Sequence, residues 1–147
     1  MSNSYDDVMA RRSDIMRQAL ALDYDSFQHG DLVFDYDALM SSTGYRLDDV
    51  ARIQAETKVG HTPLYELHRL TEAVREIAGP GKGARILLKD EAANASGSFK
   101  ARRASLSAHE AQVKGFAGMV TATSGNYGAA VASQAAQRGL ACIVIQE

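Results

Sequence analysis

The chain has 147 residues, 46% of them hydrophobic and 23% charged, with sixteen bases against eighteen acids for a formal charge of −2. This composition excludes a disordered or low-complexity chain and suits one compact core rather than two full domains. No net basic field is present to draw nucleic acid or an anionic membrane, so neither is expected as a partner.

The longest apolar run, Leu140 to Ile145, is six residues, far short of the roughly 20 that a membrane helix needs. The opening MSNSYDDVMARR has neither the basic start nor the apolar stretch of a secretory signal. Cys142 is the single cysteine, so no disulfide can form within the chain and a reducing, cytoplasmic setting is expected.

Charge divides the chain. Residues 1–58 hold eleven acids and six bases, net −5, whereas residues 59–147 hold seven acids and ten bases, net +3. In the acidic part, apolar residues recur at helical spacing, first Val8, Ile15, Met16, Ala19 and Leu22, then Leu47, Val50 and Ile53. The spacing predicts a helical N-terminal extension over residues 1–58. Asp23, Asp25, Asp31, Asp35 and Asp37 lie between these segments, but the Gly and Glu of a calcium loop are not at the required positions. They are expected at turns and helix starts. His29, His61, His68 and His109 have no zinc-site spacing, so no metal is assigned.

From Gly60 onward the pattern changes. Leu67, Leu70, Val74 and Ile77 mark an amphipathic helix that GPGKG, Gly79 to Gly83, ends as a turn. This glycine cluster lacks the spacing of a phosphate-binding loop. The expected order is then a strand at Ile86–Lys89, a helix at Phe99–Lys114, a strand at Met119–Thr123, a helix at Tyr127–Arg138 and a strand at Cys142–Gln146. That alternation predicts an α/β fold with an open, mainly parallel sheet. Gly115 and Gly139 are expected to cap the two helices in the left-handed conformation. Ala101, Ala104, Ala108 and Ala111 on one helix, and Ala129, Ala130, Ala132, Ala135 and Ala136 on the other, offer small-residue faces for packing.

Ligands of such a sheet gather where strands end and helices begin. NASGSFKARR (Asn94–Arg103) and TSGNYG (Thr123–Gly128) hold those positions and should face one crevice. With Ser98 as the expected N-cap, Lys100, Arg102 and Arg103 fall in a first turn, where cations oppose the helix dipole at about 0.3–1 kcal/mol each. Two readings stay open: three solvated cations, or a reactive Lys100 amine favoured in its neutral form by burial, the positive helix end and adjacent cations. Lowering a lysine from about 10.4 to near 7 takes on the order of 4–5 kcal/mol, so burial would have to supply most of it. In TSGNYG, hydroxyls, a bare glycine backbone and helix N–H groups converge on a carboxylate-sized anion site, although a tight turn uses the same residues.

Three segments in this order, GHTPL (Gly60–Leu64), SGSFKAR (Ser96–Arg102) and TSGNYG, resemble the motifs of fold type II, tryptophan-synthase-beta-like, pyridoxal-phosphate enzymes. The resemblance covers roughly Gly60 to Glu147, with one departure, Ala95 where the family usually has proline. It implies a three-layer sheet of that kind, of which residues 59–147 are the N-terminal part of the catalytic domain, and pyridoxal 5'-phosphate as cofactor. It implies that Lys100 forms the internal aldimine and shuttles the substrate's alpha proton, and that Asn126 hydrogen-bonds the cofactor's ring hydroxyl. Thr123, Ser124, Gly125, Asn126 and Tyr127 would hold the substrate carboxylate. The acidic start and the stretches DEAANASGSFKARRASLSAHEAQ and TSGNYGAAVASQAA resemble a coenzyme A-dependent branch of the family. That likeness implies thiolysis of 2-amino-4-oxopentanoate by coenzyme A to alanine and acetyl-CoA in ornithine degradation, by a homo-oligomer with a small alpha subunit. The alternatives are another fold type II lyase or synthase, such as a threonine dehydratase or synthase, and a non-catalytic interaction subunit or degenerate paralogue. The family's phosphate cradle and pyridine-nitrogen partner normally come later in the chain. The expectation is therefore the N-terminal part of a longer enzyme, inactive alone.

Overall fold

The computed structural model describes residues 4–30 and 32–146, so Asp31 lies outside the described residues. The chain forms two compact units, Met1–Arg46 and Leu47–Glu147.

The first unit contains α1 (Tyr5–Ala10), α2 (Arg12–Leu20), a 3-10 turn at Tyr24–Phe27, a two-residue antiparallel hairpin of β1 (Gln28–His29) and β2 (Val33–Phe34), and α3 (Tyr36–Ser42). Helix is the main element, as the spacing predicts, but the periodic stretch breaks at Arg11 between α1 and α2 and the hairpin is an addition. The aspartates serve local structure. Asp35 caps α3 by accepting from the Ala38 N–H at 2.8 Å, and that backbone donor holds its carboxyl below the usual range. Asp23 pairs with Arg17 at 3.2 Å, Asp25 accepts from the Ser13 hydroxyl, and Asp37 lies in the first turn of α3. Phe34 gathers Tyr24 and Tyr36 around it, with ring centroids 4.7 and 4.9 Å away.

The second unit runs α4 (Leu47–Glu56), β3 (Leu64–Glu66), α5 (His68–Ala78), β4 (Leu87–Lys89), a 3-10 turn at Glu91–Ala93, α6 (Lys100–Val113), β5 (Gly118–Ala122), α7 (Asn126–Gln137) and β6 (Ala141–Ile145). Its start at Leu47 precedes the 58/59 division drawn from charge, because α4 packs on α6 and buries Ile53 and Gln54. Among the described residues no helix is long and apolar enough to cross a membrane.

One expected strand pairs differently from the prediction. Leu87–Lys89 is a strand, but it joins β3 in an antiparallel pair, Leu64 opposite Lys89 and Glu66 opposite Leu87, instead of the parallel sheet. The chain is turned back by Gly79, Gly81 and Gly83, all at positive φ. Gly83 lies so close over α5 that a Cβ there would be 2.8 Å from Arg75 Cγ. Leu67 N–H to the Ile86 carbonyl (3.0 Å) and Asp90 N–H to the Pro63 carbonyl (2.9 Å) extend the ladder beyond both ends.

Strands β5 and β6 pair in parallel, Gly118 with Ala141 through Ala122 with Ile145. Helix α7 lies on both strands, and α6 packs on α7 and β5. Alanine, the best helix former, supplies both helices and their contact. Ala101, Ala104, Ala108 and Ala111 are buried on α6; on α7, Ala130 and Ala135 are buried with Val131, while Ala129 and Ala136 are exposed. Met119, Tyr127 and Cys142 pack on this cluster. The opposite side of the pair shows Val120, Ile143 and Ile145 to solvent. Both helices end in the same motif. Phe116 and Leu140 donate to the carbonyls of Ala111 and Ala135 at 2.9 Å, while Gly115 and Gly139, at φ 74° and 69°, donate to Gln112 and Ala136.

Candidate active site

Helix α6 begins at Lys100, so that lysine is in the first turn as expected, but the residue at its N-cap is Phe99, whose side chain makes no capping bond. The Ser98 hydroxyl, one residue earlier, accepts the Lys100 backbone N–H at 3.3 Å. Lys100 is half-buried, so the burial expected around its amine is partial. Its Nζ lies 4.5 Å from the centre of the Phe99 ring, and among the described residues no carboxylate pairs with it. Ser96, in the same motif, has a buried Oγ with no hydrogen-bond partner.

The other two cations of this turn are not simply solvated. Arg103 lies over the Tyr127 ring at 4.9 Å, tying the lysine segment to the TSGNYG segment. Arg102 forms a two-pronged ion pair with Glu91, Nε to Oε2 at 2.7 Å and Nη2 to Oε1 at 2.8 Å. Thr62 donates its hydroxyl to Glu91 Oε1 at 2.7 Å, and Asn94 Nδ2 donates to Oε2 at 3.0 Å. Hydrogen bonds from Arg102, Thr62 and Asn94 hold the Glu91 carboxyl down at about 2, with Arg102 the largest cause. Asn94 Oδ1 accepts from the Gly60 N–H at 3.0 Å, and Gln54 of α4 both accepts from Arg102 Nη1 and donates to the Arg102 carbonyl at 3.3 Å. Lys89 Nζ donates to the Thr62 carbonyl. The GHTPL motif, the 3-10 turn and the lysine helix are thus one polar network. The sequence reading missed Gln54, Thr62, Glu91 and Asn94 as partners because they stand 8 to 48 residues from Arg102 in the chain. The signal in the sequence was that Thr62 lies in GHTPL, and Glu91 and Asn94 in the DEAANASGSFKARR stretch.

The second segment follows β5. Asn126 is the first residue of α7, and Gly125 precedes it in extended backbone, φ 179°, with no atom within 4 Å of where its Cβ would be. Ser124, Gly125 and Asn126 are exposed, whereas Tyr127 is half-buried against the core. The Thr123 hydroxyl accepts the Gly125 N–H at 3.1 Å, so these two candidate carboxylate contacts satisfy each other as the molecule stands. Gly128, given no role in the sequence reading, is the tightest point: a Cβ there would meet Thr123 Cγ2 at 2.5 Å and Val144 Cγ1 at 2.8 Å. Only glycine lets α7 start this close to both strands.

A sequence model of the pyridoxal-phosphate dependent enzyme family matches residues 55–147. The 2-amino-4-ketopentanoate thiolase beta subunit of Acetoanaerobium sticklandii is 55% identical over 98% of this chain and 31% of its own length. A second protein of that name, from an unknown prokaryotic organism, is 57% identical over 98% of this chain and 30% of its own. Threonine synthase of Halalkalibacterium halodurans is 35% identical over 58% of this chain and 22% of its own. The chain therefore spans about a third of the length of the thiolase subunits it matches. No solved structure matches. Because the family match covers more than half of the chain and takes in the lysine helix and the TSGNYG turn together, the chain belongs to the pyridoxal-phosphate dependent enzymes.

Proposed function

We propose that this chain supplies the lysine side of the active site in an enzyme that thiolyses 2-amino-4-oxopentanoate with coenzyme A to alanine and acetyl-CoA, working with a small alpha subunit. The observation that carries this is 55–57% identity across nearly the whole chain to proteins named 2-amino-4-ketopentanoate thiolase beta subunit. The finer fold reading, an open, mainly parallel three-layer sheet, belongs to the same proposal and draws support from the parallel β5–β6 pair with two helices on one face.

The residues present suit pyridoxal phosphate. Among the described residues, a buried Ser96 hydroxyl has no hydrogen-bond partner and the Lys100 amine no carboxylate partner; both stand in one segment and have bonding capacity for a polar ligand. When bound, the cofactor supplies an electron sink for charge developing on the amino acid's carbons. Lys100 is the residue that carries it and moves the alpha proton at Nζ. The Asn126 side chain would hydrogen-bond the ring hydroxyl. Thr123, Ser124 and the backbone from Gly125 to Tyr127 would hold the substrate carboxylate, with the Thr123–Gly125 bond exchanged for bonds to that anion. Charge at the start of α7 favours this, since a helix N-terminus attracts a carboxylate.

Purification with any co-purifying small subunit, followed by assay of alanine and acetyl-CoA from 2-amino-4-oxopentanoate and coenzyme A, tests the reading. The expected result is formation of both products in equal amounts. The match to threonine synthase favours a second reading; formation of threonine with no thiolysis would replace the first reading with that one.

A further inference from the structure

We propose that Glu91 and Arg102 are positioning residues for Lys100, a half-buried clamp that fixes where α6 begins and therefore where its first residue holds its amine. The proposal rests on the reading of Lys100 as the cofactor lysine. At the start of α6 the Phe99 side chain makes no capping bond and the Ser98 hydroxyl makes one long one, to the Lys100 N–H at 3.3 Å, so the end frays unless something more holds it. Arg102, two residues on and still in the first turn, is held at Nε and Nη2 by Glu91, at Nη1 by Gln54 and at its carbonyl by Gln54 Nε2.

The other half of the clamp is the segment before β3. Gly60 and His61 both have positive φ, at 88° and 50°. For His61 this costs about 1–2 kcal/mol, and such backbone persists only where its surroundings over-determine it. The surroundings that do so are the hydrogen bonds from the Gly60 N–H to Asn94 and from the buried Thr62 hydroxyl to Glu91. Glu91 is thus the hub through which a strained loop braces the lysine helix. An ion pair serving only surface stability would need neither buried neutral partners on the carboxylate nor a planar fork on the cation.

The test compares the wild-type protein with Glu91→Gln and Thr62→Val, each checked for folding by circular dichroism. Each is incubated with pyridoxal phosphate, reduced with borohydride and mapped by peptide mass, and labelling of Lys100 is divided by labelling of the exposed Lys82. Glu91→Gln is expected to lower that ratio on the order of 10- to 100-fold, the penalty of about 1 Å of misplacement, and Thr62→Val is expected to lower it less. General loosening would instead raise labelling at every lysine. A wild-type ratio in folded Glu91→Gln, or in Thr62→Val if Glu91→Gln does not fold, would overturn the proposal. Wild-type labelling at a lysine other than Lys100 would instead remove the cofactor-lysine reading on which it rests.

Discussion

Replacing Gly128 with alanine tests the close approach between the start of α7 and the strands beneath it. The added Cβ would lie 2.5 Å from Thr123 Cγ2 and 2.8 Å from Val144 Cγ1, against about 3.5–4.0 Å for ordinary carbon contacts. Neither neighbour yields easily, since both are β-branched with restricted χ1 and the Thr123 hydroxyl is bonded to the Gly125 N–H. The end of α7 must therefore lift by about 1 Å, and overpacking of this kind costs roughly 1–3 kcal/mol. Alanine's better helix propensity returns about 1 kcal/mol, leaving a net loss of up to roughly 2 kcal/mol. Gly125→Ala, three residues earlier, is the control: it meets no atom within 4 Å and its φ of 179° suits any residue, so its change should stay within about 0.5 kcal/mol. Urea unfolding of the intact protein reads both as shifts in midpoint at constant slope. Equal midpoints for the two variants would refute the close-approach argument.

Two further outcomes follow from the same geometry. The Glu91 carboxyl is lowered from 4.5 to about 2 in the folded chain, so the unfolded chain binds its proton first as pH falls. The stability it contributes is complete above about pH 4.5 and is lost as pH falls from there through about 2, by up to about 3 kcal/mol before the screening of a partly exposed Arg102 is deducted. Urea midpoints of the wild type should converge on those of Glu91→Gln across that window, and a constant gap between them would count against the pair. Lys58→Gly removes a Cβ from a left-handed position just past the end of α4, where the Val59 N–H reaches the Gln54 carbonyl at 2.9 Å. It should raise stability by up to about 1 kcal/mol, and a lower thermal midpoint would show that the Lys58 side chain contributes more than its strain costs.

Helices α5, α6 and α7 were legible because each carries its own local signature, an apolar or alanine period closed by a glycine, and strands β5 and β6 because each is a short apolar run that follows such a glycine. Strand β3 was not, since Leu64 and Tyr65 are both exposed and no alternation marks three residues inside a turn-rich motif. The antiparallel partnership of β4 was hidden for a related reason: Leu87 to Lys89 reads the same in either pairing, and the reversal is made by glycines read only as a stop. Charge misplaced the unit boundary because the surface of α4 is acidic like the extension, while Ile53, wholly buried, belongs to the core of the second unit. In the candidate site, Lys100 and Asn126 were visible as residues set at helix starts, one by its misplaced charge and one by its neighbours. The clamp was not, because a hydrogen-bond hub leaves no period in the sequence.

The hub also limits how the chain can be recombined with its relatives. Loop exchange treats GHTPL and SGSFKAR as separable cassettes, but the structure joins them through one carboxylate whose donors come from both. A chimaera that imports the lysine segment without Thr62, Glu91 and Asn94 would inherit an anion or a cation lacking its counterpart, and its fault would surface at a distance from the spliced residues. The smallest transplantable piece is therefore the span from Gln54 to Arg102, moved whole.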